Sequence, residues 1–104
     1  MVRIFAALGD PTRQGLLELL ARDGAASATV LAKPLAISRQ AVDKHLRVLR
    51  DAGLVGADRS GREVRYHVRP HQLDRGAGWL TEVAAEWDRQ LRAIKAAAEA
   101  PAPG

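Results

Sequence analysis

The sequence predicts a mainly α-helical domain with one small β-hairpin, on three observations. Apolar residues recur at helical spacing before Gly53 and again from Leu80 to Ile94; residues 63–69 alternate strictly between apolar and polar; and Gly, Pro, Ser and Asp punctuate each change of pattern. A chain of 104 residues, 47% hydrophobic and 27% charged, is one domain. At this length a folded monomer hides only about 60–70% of the surface its unfolded chain exposes, which favours a core shared with a second copy and leaves little room for an enclosed enzyme pocket. The absence of cysteine excludes a disulfide framework and a thiolate metal site, and fits a reducing, cytoplasmic compartment. The opening MVRIFAALGDPTR has only a short apolar run before Gly9-Asp10-Pro11, too little for a signal peptide or a membrane span.

The elements follow in order. Val2, Phe5 and Leu8 fall at helical spacing and predict a short first helix stopped by Gly9. Asp10 is a good N-cap and Pro11 is tolerated at the first helical position, so a second helix runs from there, with Leu16, Leu17, Leu19 and Leu20 as its apolar stripe, to Arg22-Asp23-Gly24. Ser27 or Thr29 caps a third, short helix that turns Val30, Leu31 and Leu35 inward and is limited by Pro34. Ser38 caps a fourth, in which Val42, Leu46 and Leu49, with Ala41 and Val48, form the buried face. Ala52-Gly53 closes it, Gly53 suiting a left-handed cap. Two helices joined by a tight turn in this way form a helix-turn-helix.

After Gly53 the period changes to two. Leu54 and Val55 begin a strand, Arg59-Ser60-Gly61-Arg62 has turn chemistry, and the return strand sets Val64, Tyr66 and Val68 on one face against Arg65, His67 and Arg69 on the other. Pro70 ends this hairpin. A long last helix carries Leu80, Val83, Trp87, Leu91 and Ile94 as one stripe, suited to a dimer seam; Gly76 and Gly78 predict fraying or a bend before Trp79. The whole order, α-α-α-α-β-β-α, is that of a winged helix-turn-helix spanning residues 1–98, with EAPAPG (99–104) as a flexible tail.

Charge points to a partner. Lysine plus arginine number 16 against 12 acids, a net charge of +4, and the excess lies in residues 38–69, where all but one of the bases are arginine. A guanidinium fork suits phosphate and guanine, so an anionic polymer is the leading candidate, with an acidic protein or membrane surface as the other possibilities that charge alone allows.

The segments ALGDPTRQGLLELL (7–20), SRQAVDKHLRVLRDAGLV (38–55) and GREVRYHV (61–68), with the WL…EW…L spacing of the last helix, resemble the ArsR family of bacterial repressors. The resemblance covers residues 4 to about 95 and is specific because recognition helix, closing AGLV and wing come in the right order and spacing. It implies a homodimer, paired through first and last helices, that binds double-stranded DNA at a partly palindromic operator and represses transcription. Phe5, Leu8, Leu80, Val83, Trp87, Leu91 and Ile94 would form the interface. Members that sense metal use cysteines on the helix before the recognition helix, or acid and His ligands on the last helix. Here the first position reads ATVLAKPLAI and the last helix has no His after His71, so the chain is similar to the branch without a metal site and no cofactor is expected.

A major groove admits one helix, whose outer face near the N-terminus reaches base edges. With Val42, Leu46 and Leu49 buried, that face shows Arg39, Gln40, Asp43, Lys44 and Arg47. Arg39 suits the paired acceptors of guanine and Gln40 the acceptor and donor of adenine, while Ser38 and the free amides suit a phosphate and Lys44 and Arg47 the backbone. Asp43 departs from the small polar residue usual in the family; it accepts from cytosine N4 or pairs with Arg39 or Arg47. His45, beside the buried seam, is read as packed or backbone-bonded rather than as a base contact. Arg59, Arg62 and Arg65 at the hairpin tip suit a minor groove or phosphates, the plain alternative being an edge hairpin kept soluble by charge.

Other constellations assemble poorly. Ser38 and His45 are seven residues, about 10 Å, apart along one helix, so Ser38, Asp43 and His45 form no triad, and no enzyme is predicted. His67 and His71 straddle Pro70 and need outside partners to hold zinc. Trp79 and Trp87 lie close to one face and suit interface packing, or a pocket for an unidentified small-molecule effector; a protein effector is equally compatible. The functional alternative is a winged-helix interaction or dimerisation module whose basic face binds an acidic protein partner.

Overall fold

The computed structural model describes residues 1–101. Its elements are α1 (Val2–Leu8), α2 (Pro11–Asp23), β1 (Ala25–Ser27), α3 (Ala28–Leu35), α4 (Arg39–Asp51), β2 (Val55–Ser60), β3 (Glu63–Val68) and α5 (Pro70–Glu99). This is a winged helix-turn-helix. To the expected hairpin the structure adds β1, which pairs antiparallel with β3 on the side away from β2, giving the order β1-β3-β2. Ala25-Ala26-Ser27 is too short to show a period, and its pairing with Arg65 to His67 is set by the packing of α2 and α3 rather than by local pattern.

The caps form as the residues dictate. Asp10 is extended and its carboxylate accepts from the Arg13 N–H at 3.0 Å; Ser27 accepts from Val30 and Ser38 from Ala41, so Ser27 rather than Thr29 starts α3. At the end of α4, Gly53 takes φ +76°, its N–H bonds the Arg50 carbonyl and that of Leu54 bonds the Leu49 carbonyl, the paired closure that a left-handed residue makes available. Between α3 and α4, Ala36 adopts φ 55°, a left-handed conformation that the tight turn imposes on a residue with a Cβ.

Leu16, Leu20, Leu31, Val42, Leu46, Leu49 and Leu54 are fully buried in one core, each worth roughly 1.5–3 kcal/mol relative to exposure. Two expected core positions lie outside it. Val30 and Val48 are exposed on the outer sides of α3 and α4, and Val2 is 86% exposed because α1 buries Ile4 and Ala7 instead of the Val2 side. The helical period holds, but the core occupies a narrower arc than the apolar residues do.

The last helix is one element from Pro70 to Glu99, helical through both Gly76 and Gly78, so no break precedes Trp79. Gly76 is buried where α1 crosses: a Cβ there would sit 3.6 Å from Ile4 Cγ2 and from Phe5 Cζ. At 1.5 Å per residue the 30 residues of α5 run about 45 Å, well beyond the core, and the molecule measures 79 × 24 × 22 Å. Of the expected tail, Glu99 is the last helical residue, and 102–104 lie outside the described residues.

Candidate nucleic-acid interface

The chemistry of the basic face begins with how α4 is held. Val42, Leu46 and Leu49 fix one side in the core, which turns Arg39, Gln40, Lys44 and Arg47 to solvent and leaves Asp43 half-buried beside them. Ser38 Oγ is committed to the Ala41 N–H at 3.1 Å, so its hydroxyl is a cap first and has only its own proton left to offer a phosphate. Arg39 Nε lies 4.0 Å from Asp43 Oδ2, the i,i+4 pairing, and Arg47 makes no such pair. His45 is packed at the inner edge, its Nδ1 at 3.2 Å from Arg13 Nη1; its partner is a side chain rather than backbone.

The wing divides its arginines. Gly61 (φ +63°) and Arg62 make the two-residue turn, a geometry that a glycine adopts without strain. In the β2–β3 register Arg59 stands opposite Val64 and Asp58 opposite Arg65, so Arg59 shares the Val64–Tyr66 face and Arg65 lies on the other. Arg65 is 3.5 Å from Glu63 Oε2, and on its face His67 Nδ1 is 3.3 Å from Asp58 Oδ2. The tip is therefore basic on both faces, and the three arginines do not form one patch.

Two clefts separate α4 from the wing. One, of about 210 Å³, brings Arg39 and Asp43 together with Arg62, Tyr66 and the start of α3 at Ser27 and Thr29. The second, of about 390 Å³, is lined by Asp43, Arg47, Arg50, Asp51 and Tyr66. Tyr66 and Asp43 border both. The clefts also gather residues that sequence pattern did not assign to the site. Thr29 was visible only as an alternative cap, Tyr66 only as an apolar alternation, and Arg50 had no assigned role; each needs the fold to bring α3, β3 and α4 to one edge.

The expected dimer residues separate by exposure. Leu8 is half-buried against the core, and Phe5 is half-buried with its ring against Trp79, centroids 5.3 Å apart at 50°. Leu80, Val83, Trp87, Leu91 and Ile94 are 45–64% exposed along α5. On the flank of this stripe Glu86 is bonded by Arg89 and Gln90, which hold its carboxyl below the ordinary range. Among the described residues no cluster of three or more His, Cys, Asp or Glu is placed to hold a metal ion, and no helix is long and apolar enough to cross a membrane.

A helix held in the core by one face, showing arginine, glutamine and lysine on the other beside a basic wing, defines a winged helix-turn-helix DNA-binding regulator. The helix-turn-helix domain family matches residues 8–55. The HTH-type transcriptional regulator CmtR of Mycobacterium tuberculosis is 39% identical over 99 residues, covering 93% of this chain and 83% of the relative. The transcriptional repressor SdpR of Bacillus subtilis is 29% identical over 88% of this chain and all of its own length. Among solved structures, an ArsR-like transcriptional regulator from Rhodococcus sp. RHA1 superposes with a TM-score of 0.88 at 46% identity, over 94% of this chain and 89% of that one. The homodimeric winged helix-turn-helix DNA-binding domain of a possible ArsR-family regulator from Mycobacterium bovis gives 0.66 at 26% identity, over 86% and 82%. The chain belongs to the ArsR family of transcriptional regulators, a family of DNA-binding proteins and not of enzymes.

Proposed function

We propose that the chain is a cytoplasmic, metal-independent homodimeric repressor that reads a partly palindromic operator, with α4 in the major groove and the wing against the minor groove or its phosphates. The observation that carries the reading is the α4 face: Arg39 and Gln40 stand exposed at its first turn, behind a formed Ser38 cap and over a buried Val42. Arg39 pairs with guanine and Gln40 with adenine, while Lys44, Arg47 and Arg62 contact phosphates with Arg59 and Arg65 flanking them, and the Ser38 end of the helix faces a phosphate. Asp43 draws Arg39 aside until a guanine competes, and repels phosphates that approach without one.

Residues 1–98 would serve as one DNA-binding and dimerising unit, with 99–104 as its tail. Support for pairing is the run of exposed apolar side chains on α5, with α1 packed against its base, and the homodimeric state of the Mycobacterium bovis neighbour. Repression is the role named for the Bacillus subtilis relative. Independence from metal is supported by a chain without cysteine.

Selection of bound duplexes from a random-sequence library tests this, run with the purified chain, with Arg39→Ala/Gln40→Ala, and with a chelator. The expected product is an inverted repeat with half-sites about one helical turn apart, indifferent to chelator and lost in the double variant, since each paired base contact is worth about 1–3 kcal/mol of discrimination. Enrichment of no sequence would transfer the basic face to an acidic protein partner.

A further inference from the structure

Arg13 ties three helices together on the side of α4 away from the wing. Its Nε donates to the Ala7 carbonyl at 2.7 Å and its Nη2 to the Ala6 carbonyl at 3.2 Å, while Gln14 Nε2 donates to the Leu8 carbonyl at 2.7 Å. α1 has no basic residue in its own last turn, so α2 supplies the donors for its C-terminal carbonyls. The third arm of Arg13, Nη1, lies 3.2 Å from His45 Nδ1 on α4. A guanidinium has donors only, so Nδ1 accepts and the imidazole carries its proton on Nε2. Asp10 Oδ2, which accepts from the Arg13 backbone N–H, stands 3.8 Å from the same Nδ1. A cleft of about 310 Å³ lies beside this link, lined by Arg3, Ala6, Ala7, Arg13, Val48 and Asp51, and Arg3 crosses it to the Asp51 carbonyl at 3.4 Å.

We infer that Arg13 and His45 are positioning residues for DNA reading, through which the placement of α1 sets the rotation of α4. The inference rests on the reading of α4 as the base-contacting helix. α1 is itself set by α5, where Gly76 receives Ile4 and Phe5 and the Phe5 ring meets Trp79. The line of contacts therefore runs from the long helix, through α1 and the guanidinium, to a residue between Lys44 and Leu46. His45 faces neither the solvent side of Arg39 and Gln40 nor the core center held by Val42 and Leu46, so its acceptor adjusts the angle at which a helix already buried presents its outer face. A coupling of this kind acts on discrimination between sequences, because base contacts need angle while phosphate contacts tolerate error.

The test compares the full-length chain with His45→Leu, His45→Asn and Arg13→Lys on the duplex that the wild type selects from a random library and on an unrelated duplex of equal length. Thermal melting verifies the fold of each variant. Asparagine offers an oxygen near the position of Nδ1, leucine offers none, and lysine keeps the charge without the fork. Loss of the acceptor in His45→Leu and of the forked donor in Arg13→Lys predicts that both bind the selected duplex about 10-fold or more weakly while binding unrelated DNA as before, with His45→Asn close to wild type. His45→Leu discriminating as well as the wild type overturns the inference, and so does His45→Asn failing as His45→Leu does. A wild-type chain that binds both duplexes equally overturns the DNA reading itself, and the inference with it.

Discussion

Asp10 holds α2 with a carboxylate where Ser27 and Ser38 hold their helices with hydroxyls, and that difference gives one cap a pH dependence. The Arg13 N–H, then the positive charge of the Arg13 guanidinium, keep its carboxyl below the ordinary value of 3.8 against the opposing effect of desolvation. A lowered folded pKa contributes stability that is present above the ordinary value and is lost as pH falls through the folded one. Urea midpoints should therefore hold from neutrality to about pH 5 and fall below about pH 4, and Asp10→Asn, which keeps an acceptor without the charge, should lose part of that acid-side slope. The Asp10 cap was legible in the sequence because Asp-Pro is a local signal. The engagement of Arg13 with α1 and His45 was not, since its partners are carbonyls and a ring brought near by tertiary packing.

Glycines in the helices show the same division between local and tertiary causes. Gly78 stands in α5 with nothing within 4 Å of where a Cβ would be, whereas Gly53 holds φ +76° at the close of α4. Gly78→Ala should raise stability by about 0.5–1 kcal/mol through helix propensity, and Gly53→Ala should lower it by about 1–3 kcal/mol through backbone strain, both read as shifts of the denaturant midpoint. Gly53 was legible from its place after an apolar stripe. Gly76 and Gly78 predicted fraying or a bend in α5; the helix continues through both, and Gly76 marks the crossing with α1, where a buried close approach outweighs intrinsic propensity. β1 has no pattern of its own and was out of reach for a related reason: three residues acquire strand pairing from the neighbours that β3 brings. Across the wing, alternation predicted both faces, yet only the register showed that Arg65 sits apart from the cleft shared by Arg39 and Arg62.

For the molecule as a whole, a helix of 30 residues with its outer half projecting from a small core is out of proportion for a lone monomer. Leu91 and Ile94 touch little within the chain, at 45% and 64% exposure, so Leu91→Glu/Ile94→Glu should leave the melting of the core nearly intact while shifting sedimentation from dimer to monomer and weakening operator binding. An unchanged mass would remove α5 from the interface. The sequence made the stripe legible through its period, and the net charge of +4, concentrated around α4 and the wing, made the partner legible as an anion. On the proposed reading, Arg39 at the start of α4 reads guanine from the major groove at two places on one duplex. Methylation protection on the selected operator tests this most directly, because the reagent attacks guanine N7 in that groove. The expected result is protection at guanines in two half-sites about one helical turn apart, and its loss with Arg39→Ala at protein concentrations that still saturate the duplex. Guanines left fully reactive under bound protein, or protected equally by Arg39→Ala, would contradict it.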